Sequence, residues 1–329
     1  MAVASGTTTR FEQVGEREQL TNKIYNLAPM ATPFMTAIGR GPAATNTKVE
    51  WQTDDLAAAA ENAALEGDTA SYVTADATVR LANHTQIFTK SVEVSGTAQA
   101  LSTAGRRNEL LYQVDKRTKE IKRDMEFAIT QNRASSAGSR ATARTLAGFE
   151  AWIETNDSRG SGGAAGGFTT STQIVSAATD ASSTNQRTFT ESILKAAIKE
   201  VWDSTGDHSP LIIVGSFNKQ QASGFSGIAT GYQDYGNAKS SKGIAILGAA
   251  DIYVSDFGMH KIVPDHFSRD RSAMLVNPKH WEMRYLRQFK INTLAKVGDS
   301  DRRQLIAEAT LCSKNEKGSG VVADLTTTS

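Results

Sequence analysis

Cysteine is nearly absent: Cys312 stands alone in 329 residues, which excludes an internal disulfide framework and any multi-cysteine metal centre. It lies in the alternating stretch that begins at Leu305, so the simplest role for it is that of a small buried hydrophobe. Histidine is also scarce. His84, His208, His260, His266 and His280 are scattered, with no spacing typical of metal ligands. His260 and His266 could approach Asp256 and Asp265 in one loop, but an ordinary surface loop is by far the better account of them. Asp207-His208-Ser209 holds the residue types of a hydrolytic triad, but consecutive residues in a turn cannot reach that spatial arrangement. A nucleophile elbow, a dinucleotide fingerprint and zinc-ligand spacing are all missing. No catalytic residue, metal or cofactor is expected.

Long apolar runs are missing too. No stretch approaches the ~20 residues needed to span a bilayer. The opening, Met1 to Thr9, is small and polar and lacks the blocks of a signal peptide, so synthesis and assembly in a cytoplasm are expected. Nor does one charge sign dominate: 36 basic and 35 acidic residues leave a net charge of +1. A chain whose main task is to grip phosphate backbones is normally more basic, so any nucleic acid nearby is contained rather than gripped. What is present suffices for a buried core, with 39% apolar residues and length for two regions or one domain with an insertion.

Residues 1–46 read as a polar arm with one short helix, residues 16–27, which Pro29 stops; Pro33 and Pro42 keep the chain extended beyond it. Residues 47–100 read as a long two-stranded excursion. Lys48-Val49-Glu50-Trp51-Gln52 alternates, as does Ser91-Val92-Glu93-Val94 after Ile87-Phe88. Between them, residues 54–76 are small, acidic and have little to bury, so the tip must rest on a partner or stay mobile. Residues 105–133 predict a helix roughly 40 Å long. Its apolar stripe is Leu110, Val114, Ile121, Met125 and Ala128, widened by Leu111 and Ile129. The glycine-rich run at 160–167 reads as a flexible loop, and it lacks the context of a phosphate cradle. Thr188-Phe189-Thr190-Glu191 has the form of a capping box, opening a helix with Ile193, Leu194, Ala197, Ile198, Val201 and Trp202 inward. Gly206 and Pro210 end it, and residues 211–214 form a buried strand. A helix start at 216–222 and strands at 244–247, 251–254, 273–276, 281–287, 305–313 and 321–325 complete an α+β chain.

Charge is distributed unevenly. Residues 47–100 carry eight acidic residues against three basic, while residues 101–145 carry ten basic against five acidic. The acids Asp54, Asp55, Glu61, Glu66 and Asp68 of the excursion could dock on Arg106, Arg107, Lys116, Arg117, Lys119 and Arg123 of the helix in another copy. Two solvated faces with no partner explain the same pattern.

The order of these elements resembles the Johnson-type (Hong Kong 97 type) fold of tailed-bacteriophage major capsid proteins. The arm sequence at 16–29, followed by Thr32-Pro33-Phe34-Met35, is similar to the start of one branch of that family. The stretch at 308–317, with Gly320-Val321-Val322, is similar to its closing strands. The resemblance implies an N-terminal arm (1–46), an extended E-loop (47–100) and the spine helix of a peripheral domain (101–145). It further implies an axial domain (146–272) and the peripheral domain's C-terminal strands (273–329). The implied partners are other copies in hexamers and pentamers, a separate scaffold protein, a portal and a decoration or cement protein. The shell would enclose double-stranded DNA in the virion, and no membrane is involved. The arm is too short for a cleaved scaffolding segment. Between Val49 and Thr89 there is no lysine, so the isopeptide cross-link of some relatives is not expected. An encapsulin-like compartment on the same fold, or a soluble α/β enzyme, is the alternative.

Overall fold

The computed structural model describes residues 31–67, 69, 72, 77–101, 108–225 and 252–328. The helix expected at 16–27 and the strand expected at 244–247 lie outside the described residues. Helix α1 (Pro33–Ala37) and strand β1 (Gly39–Arg40) lead to β2 (Lys48–Thr53), β3 (Val79–His84) and β4 (Gln86–Ser95). Helix α2 (Gly96–Ala100), the long α3 (Glu109–Thr130) and the short α4 (Phe149–Trp152) follow. Next come β5 (Asp157–Ser158), β6 (Gly167–Thr169), β7 (Ile174–Ser176), α5 (Glu191–Thr205), β8 (Leu211–Val214) and α6 (Ser216–Ser223). Strands β9 (Ile252–Ser255), β10 (Gly258–Pro264), β11 (Ala273–Val276), β12 (Trp281–Thr293), β13 (Ser300–Ser313) and β14 (Gly320–Val322) complete the α+β chain.

Two sheets organise the described residues, a four-stranded one ordered β1-β12-β13-β4 and a six-stranded one ordered β5-β14-β11-β8-β10-β9. β8 and β11 are apolar at every position because both faces of their sheet are covered. Ile212, Val214, Ala273 and Leu275 meet α5 through Leu194, Ala197 and Ile198. Leu211, Ile213, Met274 and Val276 turn to the larger core, which also takes Ile121, Met125 and Ile129 of α3. Phe34 of the arm is fully buried there, with ring centroids 5.4 Å from Phe149, itself 4.6 Å from Trp281.

Several expectations need correction. Ser91–Val94 does not pair with Lys48–Gln52. β4 runs antiparallel to β13, from Ser300↔Ser95 to Ala309↔Gln86, and β2 pairs instead with β3, from Lys48↔His84 to Thr53↔Val79. β3 is hard to see in sequence because its inward end, Ala82-Asn83-His84, buries polar groups. Helix α3 starts at Glu109, with the Asn108 side chain accepting from the Leu111 N–H at 3.0 Å, and its 22 residues span about 33 Å. Leu111 points to solvent rather than joining the stripe. The capping box is not formed: Thr190, not Thr188, is the N-cap of α5, and its hydroxyl pairs with Ser192. Trp202 lies on the outer side and packs at a tilt against Phe257, with ring centroids 5.1 Å apart.

The glycine run is packed rather than loose. A Cβ on Gly160 would sit 2.4 Å from the Asn185 carbonyl oxygen, and one on Gly166 would sit 2.5 Å from that of Ala151. Glycine is there because backbone passes close to backbone.

Candidate assembly surface

The base of the β2–β3 hairpin is fastened to its own subunit. The Trp51 indole N–H donates to the Ser313 carbonyl at 2.7 Å, and the Trp51 ring lies 5.6 Å from Trp152. The Asn83 amide donates to the Leu311 carbonyl at 2.7 Å while its oxygen accepts from the Ala147 N–H at 3.0 Å. Glu308, almost fully buried in β13, accepts from Thr85, Arg144 and Arg287 at 2.7, 2.6 and 2.8 Å. Burial works to raise its carboxyl, but the Thr85 and Arg287 bonds and the nearby guanidinium charges hold it below the usual carboxylate range. Residues 79–95 are therefore held by the body of their own subunit, through Leu311, Glu308 and Ala147.

Beyond Thr53 the support stops. Residues 54–66 carry no regular structure and every one is exposed, with Leu56 99% and Leu65 81% accessible. Asp55 reaches the Lys317 ammonium at 2.7 Å, and no ion pair is described for Asp54, Glu61 or Glu66. Asp68, Arg106 and Arg107 lie outside the described residues.

On α3, Lys116 is exposed, Arg117 pairs with Glu120 at 2.6 Å and Lys119 with Asp115 at 2.7 Å. Arg123 lies over the Phe267 ring, 5.1 Å from its centroid. Among the described residues of one subunit, then, the loop acids and helix cations are not brought together. Such half-exposed helix pairs contribute only about 0.3–0.5 kcal/mol each, so they can be exchanged for others at little cost.

Sequence reasoning missed two further exposed apolar surfaces. One lies at the far end of the β12–β13 ribbon, with Phe289, Ile291, Leu294 and Val297; the other lies on the β9–β10 edge, with Ile252, Val254 and Met259. The first is legible in retrospect, because Phe289 and Ile291 alternate with the polar or charged Gln288, Lys290 and Asn292.

The interior holds a charge cluster. The Arg159 guanidinium, 3% exposed, donates to Glu150 at 2.8 Å, Asp157 at 2.6 Å and Asp180 at 3.2 Å. Arg269 bridges the same Glu150 and Asp180 at 2.7 and 2.5 Å. Arg271 reaches the buried Asp324 at 3.0 Å, and Asp324 also accepts from the Gly160 and Ala181 N–H groups. Burial pushes the Asp157 carboxyl up to about 6 against the pull of Arg159. The cluster ties α4, β5, the loops after β7 and β10, and the chain after β14 into one body.

A second buried carboxylate holds α1. Glu126 of α3, fully buried, accepts from the Phe34 N–H at 2.7 Å and the Met35 N–H at 2.9 Å. Burial raises it, the Met35 bond opposes that and the charge of Asp265 adds to it, leaving the group at about 7. Unfolded, it titrates near 4.5. Between those values the folded chain holds the extra proton, so stability falls as pH rises from about 4.5 to about 7. Glu126→Gln should flatten that slope by roughly 2 kcal/mol, read from urea midpoints at pH 5 and pH 8. An unchanged slope would show that Glu126 is not the titrating group.

His260 is buried between the Ser209 carbonyl, 2.6 Å from Nδ1, and the Ser255 hydroxyl, 2.8 Å from Nε2; burial holds it below its ordinary value. It is a packed strand residue, not part of a surface loop with His266. Among the described residues no His, Cys, Asp and Glu side chains gather into a metal-holding group. No helix among them is long and apolar enough to cross a membrane.

A long helix laid across a four-stranded sheet, a six-stranded α/β layer and a hairpin carrying an exposed loop make up the Hong Kong 97 type of fold. The chain is similar over 97% of its length to 99% of the subunit in the cyanophage A-1(L) capsid, at 10% identity and a TM-score of 0.61. It is likewise similar to an encapsulin complex from Synechococcus elongatus, with 96% and 98% of the chains covered, 9% identity and a TM-score of 0.56. Those likenesses speak for the fold alone. Residues 3–326 match the model of the SU10 major capsid protein family, and the chain belongs to that family. A curated relative, the major capsid protein of Escherichia phage Phieco32, is 39% identical over 125 residues; the match spans 38% of this chain and 35% of that one.

Proposed function

We propose that this chain is the major head protein of a tailed double-stranded DNA phage, closing into an icosahedral shell of hexamers and pentamers around the genome. The family match over residues 3–326 carries this reading, and it sets the phage head above an encapsulin-like compartment of the same fold. In it, residues 1–46 are the arm, 47–100 the E-loop and 101–145 the spine. Residues 146–272 are the axial domain, and 273–329 complete the peripheral domain. The exposed loop 54–66 lies over a neighbour, where Asp54, Asp55, Glu61, Glu66 and Asp68 meet Arg106, Arg107, Lys116, Arg117, Lys119 and Arg123. A heterologous ring contact of this kind puts different patches on its two sides, as an acidic loop and a basic helix require. Each contact is weak alone, and the closed lattice multiplies them through effective concentration. A separate scaffold protein, a portal and a decoration protein complete the particle, which forms in the host cytoplasm.

Negative-stain imaging of the expressed chain tests this, with closed shells expected; a protein that stays single in solution would sink it. Because residues 50–89 contain no lysine, shells boiled in denaturing detergent should run as monomers. A ladder of covalent multimers would contradict that expectation.

A further inference from the structure

Residues 56–66 read Leu-Ala-Ala-Ala-Ala-Glu-Asn-Ala-Ala-Leu-Glu. Alanine, leucine and glutamate are strong helix formers, the run has no glycine, proline or β-branched residue, and Asn62 alone has poor propensity. Asp54 and Asp55 precede it, where acids favour a helix start, and Gly67 follows with φ +82°, the left-handed conformation that commonly ends helices. Local preference and observed state therefore disagree, since the segment has no helix and touches almost nothing. Helix theory resolves the conflict. A run shorter than about 12–15 residues is marginal in water even when rich in alanine, and becomes helical when one face is packed.

Resting on the shell-building reading, we infer that residues 56–66 convert from exposed coil to a three-turn helix when they dock on a second copy of this chain. Leu56, Ala60 and Ala63 then share one face, whose small side chains let the helix lie close against its support. The acids around them fit a basic surface, which residues 101–145 provide with ten cations against five acids. Coiling also draws the loop in, because these residues span about 36 Å extended but about 16 Å as helix.

Cryo-electron microscopy of particles assembled from the full chain, together with Asn62→Pro and Asn62→Gln variants, tests the inference. Helical density for residues 56–66 against a neighbouring subunit is expected. Asn62→Pro should cut particle yield roughly tenfold or more while leaving the free subunit's unfolding midpoint unchanged, because proline past the first turn breaks a helix interior but not an exposed coil. Asn62→Gln should assemble normally. Particles with the loop extended, or with undiminished yield from Asn62→Pro, would overturn the helix and leave the shell-building reading intact. A chain that forms no particles removes both.

Discussion

Arg159→Met should cost the subunit about 3–5 kcal/mol, the penalty for stranding buried charges without a partner. The guanidinium is 3% exposed, and Glu150 and Asp157 beside it are 0% and 2% exposed. Methionine fills the volume of the aliphatic stem but leaves both carboxylates in a dry site. Arg269 still reaches Glu150, and among the described residues no other cation is paired with Asp157. Against a total stability of about 5–15 kcal/mol, the loss should appear as insoluble protein or a large fall in denaturant midpoint. Adding Glu150→Gln and Asp157→Asn to Arg159→Met should recover part of it, because neutral amides are cheaper to bury than carboxylates. A change below about 1 kcal/mol in the single variant would mean that water enters the cluster and solvates it.

Reversing Arg117, Lys119 and Arg123 together to glutamate should abolish shells while leaving a folded subunit. Arg117 and Lys119 make only local helix pairs with Glu120 and Asp115, so their loss and the new like-charge neighbours cost about 1–2 kcal/mol in all. In the docking proposed above, the same change would set an acidic helix against an acidic loop at every repeated contact. Introducing lysine at Asp54, Asp55, Glu61 and Glu66 in that background should restore particles, which distinguishes charge docking from damage to the helix. Normal shells from the first variant would remove charge docking altogether.

The parts of the fold that follow a period were legible in the sequence. The stripe on α3, the apolar runs of β8 and β11 and the alternation in β13 each name their element, because burial on one or two faces dictates side-chain type. What was not legible depends on contacts between distant residues. β3 is held by Asn83 bonding to Leu311 and Ala147, and no local pattern announces a polar residue that is buried because its partners lie far along the chain. The charge cluster was hidden for the same reason: Glu150, Arg159, Asp180 and Arg269 read singly as surface residues. Gly160 and Gly166 looked like part of a tether because composition alone does not separate a loop that needs no side chains from one with no room for them. The loop acids and helix cations were visible as residue types, but a single subunit leaves them apart.

Residues 300–322 enter both sheets: β13 lies between β12 and β4, and β14 between β5 and β11. A nascent chain translated only as far as residue 299 lacks an inner member of each layer and the core side chains Leu305, Ala309, Leu311 and Val321. A product that stops there should therefore be unable to complete either sheet, and is expected to stay unfolded rather than enter an assembly as a flawed tile.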